Sequence, residues 1–219
     1  MSASRGGFAR RLVVMVKEPV AGRVKTRLAR GIGHVMAAGF YRAATRALIG
    51  RLHADPRWQT LLAVTPDAAR ASRAWCTRSP RLGQGGGDLG QRMQRLMDSL
   101  PPGPVVIIGS DVPTIRTAHV AAAFRALGSG DAVLGPCPDG GYWLVGLRRR
   151  PSVPRAFGGV RWSSPDTLAD TLANLAGRRV QWLEPLADVD EAADLAGLGG
   201  LSGRRVWPWQ DRRRPGATG

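Results

Sequence analysis

Of the 32 lysines and arginines in this chain only two are lysine, and both lie in one stretch, VVMVKEPVAGRVKTRLA, residues 13–29. An ammonium is a compact point charge on a flexible stem, whereas a guanidinium is a wide planar fork. A tight loop that has to neutralise phosphate oxygens can require the former. Lys17, Lys25 and Arg27, with Gly22 easing the turn between them, therefore form a candidate phosphate-binding cluster. The competing reading is two exposed charges without a task. The spacing is not that of a Walker A loop, because Val24 precedes Lys25-Thr26 and Gly22 stands too early. Gly31 and Gly33 do not open a dinucleotide fingerprint either, since Met36 occupies the place of its third glycine.

Carboxylates collect on three other segments. GSDVP, residues 109–113, puts Asp111 just after the most strand-like run of the chain. Such an aspartate is either an N-cap for the following helix or a ligand for Mg²⁺ (or Mn²⁺), which takes one or two carboxylates plus phosphate oxygens. ADVDEAADL supplies Asp188 and Asp190, expected to turn to opposite sides, one toward a metal and one capping the last helix. CPDGGYW offers Asp139, Gly140, Gly141 and Tyr142, read equally as a tight turn or as a loop meeting an acceptor. LGQGGGDLGQRM contributes Gly87, Asp88 and Arg92, a place for a ribose or base to lie against the backbone, or a flexible connection.

To bring these segments together the chain must end its strands at one edge of a sheet. LVVMV (12–16), TLLAV (60–64), PVVIIG (104–109), AVLGP (132–136) and YWLVGL (142–147) read as strands, and RRVQWLEPL as a late one. Between them, residues 33–54, 88–100, 117–127 and 163–177 carry helical spacing, Thr65-Pro66 is placed to open another helix, and DEAADLAGL closes the series. Strands alternating with helices predict a mostly parallel sheet covered on both faces, with an antiparallel element around 132–147. In such a sheet ligands bind beyond the carboxyl ends of the strands, where the segments above lie.

At 219 residues, the chain reads as one domain over 10–200 with loose basic ends, 1–9 and 203–219, where Trp207 and Trp209 could dock. A net charge of +16 favours acidic partners, from nucleotides to nucleic acid. Aromatics amount to 6% and rarely interleave with the arginine clusters, which argues against a stacking surface for nucleic acid. Cys76 and Cys137 are far apart and outside any metal spacing, as are the three histidines, so a zinc site is not expected and the cysteines read as reduced thiols of a cytoplasmic protein. No apolar run is long enough for a membrane span.

Taken in order, KEPVAGRVKTRL, GGGDLGQRM, GSDVP, GPCPDGGYWLVGL and ADVDEAADL resemble a family of small bacterial proteins within the glycosyltransferase-A-type superfamily of nucleotide-diphospho-sugar transferases, over roughly residues 10–198. The resemblance implies a Rossmann-like three-layer α/β sandwich with a mixed sheet of about seven strands. It further implies that Asp111 and Asp190 hold the metal, that Lys25 contacts phosphates, and that the donor is a nucleotide-sugar or a nucleoside triphosphate. The acceptor is an unspecified small molecule that Asp139 orients or deprotonates. GSDVP carries one aspartate where the superfamily's DxD motif has two. Nucleotidyl transfer of the phospholactate guanylyltransferase type is the alternative, and a non-catalytic anion or nucleic-acid binder is the reading from another class.

Overall fold

The computed structural model describes residues 9–75 and 77–198. The expectations for the basic ends, for Trp207 and Trp209, and for the Cys76 thiol lie outside the described residues.

Seven strands form one sheet in the order β3-β2-β1-β4-β6-β5-β7. They are β1 (Arg11–Lys17), β2 (Gln59–Thr65), β3 (Arg81–Gly83), β4 (Val105–Ile108), β5 (Ala132–Pro136), β6 (Tyr142–Leu147) and β7 (Val180–Trp182). β6 runs antiparallel to β4 and β5, and the other pairings are parallel. The antiparallel element expected around 132–147 is this strand.

Both faces of the sheet are buried, and successive side chains of each strand alternate between them. Leu12, Val14 and Val16 of β1 enter one core with Leu48, Leu52 and Phe124, from helices α2 (His34–His53) and α4 (Thr117–Ser129). Val13 enters the opposite core with Met93 and Met97 of α3 (Leu89–Ser99), against which Leu168 and Leu172 of α5 (Thr167–Asn174) pack. Each fully buried leucine adds about 2 kcal/mol of apolar transfer energy. The product is the three-layer α/β sandwich that the alternating runs predict.

The departures are local. Residues 81–83 form β3, a strand of three residues with no apolar alternation to announce it; register with β2, Leu62 opposite Arg81, makes it a strand. Thr65 remains in β2 and opens no helix; Asp67–Ala71 makes only a short 3₁₀ turn. The late strand shrinks to Val180–Trp182, and the helix expected from 163 begins at Thr167, because Ser163 is left-handed at φ 56. The first loop enters its own helix, α1 (Thr26–Ile32), which Gly33 at φ 83 separates from α2.

Candidate active site

β1 and β4 are adjacent and parallel, so the loops after Lys17 and after Ile108 leave the same sheet edge side by side. The segment 188–190 joins them from the far end of the chain. Val189 is buried with Leu28 and Phe40, and its N–H donates to the Asp111 carbonyl at 3.1 Å. Helix α6 (Ala192–Leu198) continues from it, packed so closely on α1 that a Cβ added to Gly31 would lie 2.7 Å from the Ala192 Cβ. An extended strand would turn Asp188 and Asp190 to one side; residues 183–190 form no strand, and the two diverge around the buried Val189.

Asp190 projects toward Lys25. The Lys25 ammonium lies 2.7 Å from Asp190 Oδ1 and 2.7 Å from Asp111 Oδ1, with the lysine side chain 5% exposed. Arg27 Nη1 adds a longer contact to Asp190 Oδ2 at 3.6 Å. Burial by itself lowers the Lys25 pKa, but the charges and hydrogen bonds of Asp111 and Asp190 outweigh it and hold the ammonium above its ordinary value. Lys25 takes φ 48 and ψ 48, a left-handed conformation that costs a non-glycine residue on the order of 1 kcal/mol. The two carboxylate contacts offset that cost.

Lys17 is reached differently. Its backbone N–H donates to Tyr41 Oη at 2.9 Å, and Tyr41 Oη lies 2.8 Å from Ser110 Oγ, which precedes Asp111. This buried chain ties the end of β1 to the end of β4 through α2. Burial first, then the Asp111 charge, raises the Tyr41 pKa, so the phenol stays protonated and can donate to Ser110. The Lys17 side chain is exposed at the mouth.

These groups line a cleft of about 390 Å³ whose walls include Lys17, Arg23, Lys25, Arg27, Ser110, Asp111 and Asp190. Gly22, left-handed at φ 80, turns the loop over it. Gln84, which the sequence reading did not single out, also lines the cleft. Its side-chain amide donates to the Val16 and Ala63 carbonyls, leaving only an acceptor oxygen for other partners. Its position just after β3, a strand with no apolar signature, concealed it.

The glycine loop is otherwise tied within the protein: the Gly85 N–H donates to Asp67 Oδ1, and Arg95 donates to the Gln84 and Gly86 carbonyls. Asp88 caps α3 in a reciprocal capping box with Gln91, and Arg92 Nε donates to the Gly87 carbonyl at 2.9 Å. The carboxylate of Asp88 and the guanidinium of Arg92 are thus joined to this loop, while Gln84 and Leu89 are its contributions to the cleft.

Asp188 turns the other way, into a second cleft of about 300 Å³ that shares Asp111 and Ser110 with the first. It does not cap α6; Asp194 does, its Oδ2 accepting from the N–H groups of Asp190 and Glu191 at 2.8 and 2.7 Å. Burial, then the charges of Asp190 and Asp139, raises the Asp188 pKa. Asp139 lies in the turn Cys137–Gly141, where its Oδ1 accepts from the Gly141 N–H at 3.0 Å, so CPDGGYW forms the tight turn, and Asp139, Gly141 and Tyr142 line the second cleft. Gly140 rests on the Pro165 backbone, and the Tyr142 hydroxyl accepts from Thr171 Oγ1 at 3.4 Å. Burial, reinforced by Asp139 and Asp188, pushes the Cys137 thiol up to about 12, which makes it a poor nucleophile.

Asp111 and Asp190 are half exposed while each turns one oxygen to Lys25, a donor set that suits a cation whose remaining ligands come from a bound polyphosphate. Among the described residues no group of three or more His, Cys, Asp or Glu is placed to hold a metal unaided. Among those residues, too, no helix is long and apolar enough to cross a membrane.

A family model described as "uncharacterized protein conserved in bacteria (DUF2064)" matches residues 48–164. A Desulfovibrio desulfuricans G20 protein, provisionally named a nucleotide-diphospho-sugar transferase, has a similar crystal structure: 32% identity, a TM-score of 0.79, and coverage of 86% of this chain and 85% of its own. CMP:2-keto-3-deoxy-manno-octonic acid synthetase complexed with CTP is 13% identical with a TM-score of 0.57, covering 89% of this chain and 98% of its own. Rv0371c of Mycobacterium tuberculosis H37Rv, complexed with manganese, is 16% identical with a TM-score of 0.51, covering 88% and 98%. At those identities the last two share the fold alone. No curated protein matches the sequence.

Proposed function

The chain belongs to the bacterial family DUF2064, uncharacterized proteins conserved in bacteria, and from that premise we propose a metal-dependent transfer from a nucleotide-sugar or nucleoside triphosphate donor. The protein is a transferase of the nucleotide-utilising kind. The observation that carries the finer reading is the convergence of Lys25, Asp111 and Asp190 at the floor of a basic cleft on the carboxyl edge of the sheet. Cations on one wall and carboxylates on the floor suit a diphosphate held together with a divalent ion.

Mg²⁺ or Mn²⁺, held by Asp111 and Asp190 with phosphate oxygens, would supply charge neutralisation for the departing phosphate. The protein's own part is positional. Lys17 and Arg27 neutralise the outer phosphates, Gly22 lets the loop backbone close over them, and the Tyr41–Ser110 contact fixes the backbone that carries Asp111. Lys25 keeps the two carboxylates at one spacing before the donor arrives and then offers its charge to the same phosphates. Nucleotidyl transfer uses this floor equally well. The complexes of fold relatives with CTP and with manganese support a nucleotide and a divalent ion in the reading. A non-catalytic binder would instead show affinity that falls steeply with salt and ignores the metal.

The test is a thermal-shift survey of nucleoside triphosphates and nucleotide-sugars with and without Mg²⁺. A ligand at a hundred times its Kd stabilises by about 2.7 kcal/mol, roughly 5–10 °C for a chain of this size. The shift should need Mg²⁺ and should disappear in Asp111→Asn. A metal-independent shift that survives in that variant would sink the proposed metal site.

A further inference from the structure

We infer that the second cleft is the acceptor subsite and takes a hydroxyl compound with an apolar body and no phosphate, either uncharged or cationic. The assignment rests on the transferase reading above.

The two clefts meet at Ser110 and Asp111, so a molecule in the second one lies directly beside a donor in the first. Their chemistry differs sharply. Lys17, Arg23, Lys25 and Arg27 line the first, whereas no lysine, arginine or histidine is among the described residues lining the second. The formal charges of the second are the carboxylates of Asp111, Asp139 and Asp188. Its walls are Met93, Ile107, Trp143 and Trp162, which offer apolar and aromatic surface to a ring or a short hydrocarbon. In a chain of net charge +16, a cleft with this charge is not an average sample of the surface.

A phosphate in the second cleft would meet the carboxylates of Asp139 and Asp188, with Asp111 already paired to Lys25 and no cation among the described lining residues. Each such like-charge pair at about 8 Å weakens binding roughly 2- to 30-fold as the effective dielectric constant falls from about 80 to about 20. The start of α5 does not compensate. Although Ser164 and Thr167 line the cleft, the Thr167 N–H donates to the Ser164 carbonyl and the Leu168 N–H to the Gly140 carbonyl at 2.9 Å. The Asp166 N–H donates to Ser164 Oγ, so these helix-start donors are engaged within the protein. A hydroxyl suits the site better, because carboxylates accept its proton donor, and an ammonium would gain from the same charges and from the aromatic walls.

In the transfer the acceptor oxygen forms one bond to the electrophilic centre of the donor. That centre's bond to the phosphate oxygen breaks, and the nucleotide product leaves with the electron pair. The acceptor's proton passes to the Asp139 carboxylate, which is exposed and returns it to water. The charge pattern therefore favours transfer to a hydroxyl, as from a nucleotide-sugar, over transfer to a substrate phosphate.

The test uses the full chain and three matched probes: 2-phenylethanol, 2-amino-1-phenylethanol and 2-phenylethyl phosphate. Ligand-observed NMR measures binding of the two alcohols, and displacement of the amino alcohol reports occupancy of the second cleft by the ester. Both alcohols should bind, and the ester should displace at least tenfold more weakly. Asp139→Arg should bring the ester to parity, a gain that misfolding cannot imitate. Asp188→Asn, which removes a charge without changing size, should move the ester in the same direction. Equal displacement by ester and alcohol in the unaltered protein overturns the inference, as does failure of both alcohols to bind. Nucleotide binding is read in the same samples. Nucleotide bound together with ester in the second cleft overturns the acceptor class and leaves the proposed function standing. No nucleotide binding removes the proposed function and the acceptor role with it.

Discussion

Lys25 and Asp190, 165 positions apart in the chain, meet with Nζ and Oδ1 at 2.7 Å. The contact closes the site across the whole sequence, and Asp111 accepts from the same ammonium at 2.7 Å. A guanidinium cannot replace it, because the side chain is buried and a planar fork needs more room than one point between two oxygens. Lys25→Arg should lower transfer activity at least ~100-fold while leaving the fold intact by circular dichroism. Lys25→Met should also lose activity, yet bind Mn²⁺ more tightly without nucleotide, because the competing ammonium is gone. Isothermal titration of both variants checks this, and unchanged Mn²⁺ affinity in Lys25→Met would contradict it.

Tyr41 links two loops through one hydroxyl. Tyr41→Phe leaves the Lys17 N–H without its acceptor and should cost about 1–2 kcal/mol in urea unfolding. Nucleotide affinity should fall as well, since Ser110 and Asp111 lose their tie to β1. A stability unchanged within error would mean that water replaces the hydroxyl without loss.

Gly140 and Gly141 are adjacent and should respond differently. Gly140 has φ 84, and a Cβ there would lie 2.2 Å from the Pro165 carbonyl oxygen. Gly140→Ala should destabilise by about 2–3 kcal/mol, because the clash is with backbone. At Gly141 a Cβ would meet only the Asp139 carboxylate, at 3.2 Å, and the alanine should cost less than half as much. Thermal or urea unfolding of the pair decides it.

Asp170 staples the segment before α5 to that helix through Arg161, with contacts of 2.8 and 2.9 Å. The Arg161 side-chain hydrogen bonds, then its backbone N–H, lower the Asp170 pKa from 3.8 to about 2. With the folded value below the unfolded one, this contribution is fully present above pH 3.8 and is lost as pH falls through about 2. Asp170→Asn should therefore flatten the pH dependence of stability in that window alone. An identical slope in the variant would show that the pair carries no linkage.

Much of the fold was legible in the residues themselves. LVVMV, VVII and YWLVGL are apolar on both faces and could be stable only inside a covered sheet. The lysine cluster and the aspartates of GSDVP and ADVDEAADL could be named as chemistry, because residue type and position after a strand are local properties. β3 could not be seen, since its existence depends on pairing with β2. Gln84 could not be seen for the same reason.

The sequence by itself determined the inventory: which apolar runs are strands, which loops carry cations and which carry carboxylates. Tertiary structure decided the pairing. Val189, buried against α1 and α2 and hydrogen-bonded to Asp111, turns Asp190 into the basic cleft and Asp188 into the acidic one. Which aspartate faces which cleft follows from which side chain between them is buried. Burial at that position is set by Leu28 and Phe40, far away in sequence. A pattern of period two would put Asp188 and Asp190 on one side, and only the irregular, packed path of 188–190 sends them into different clefts.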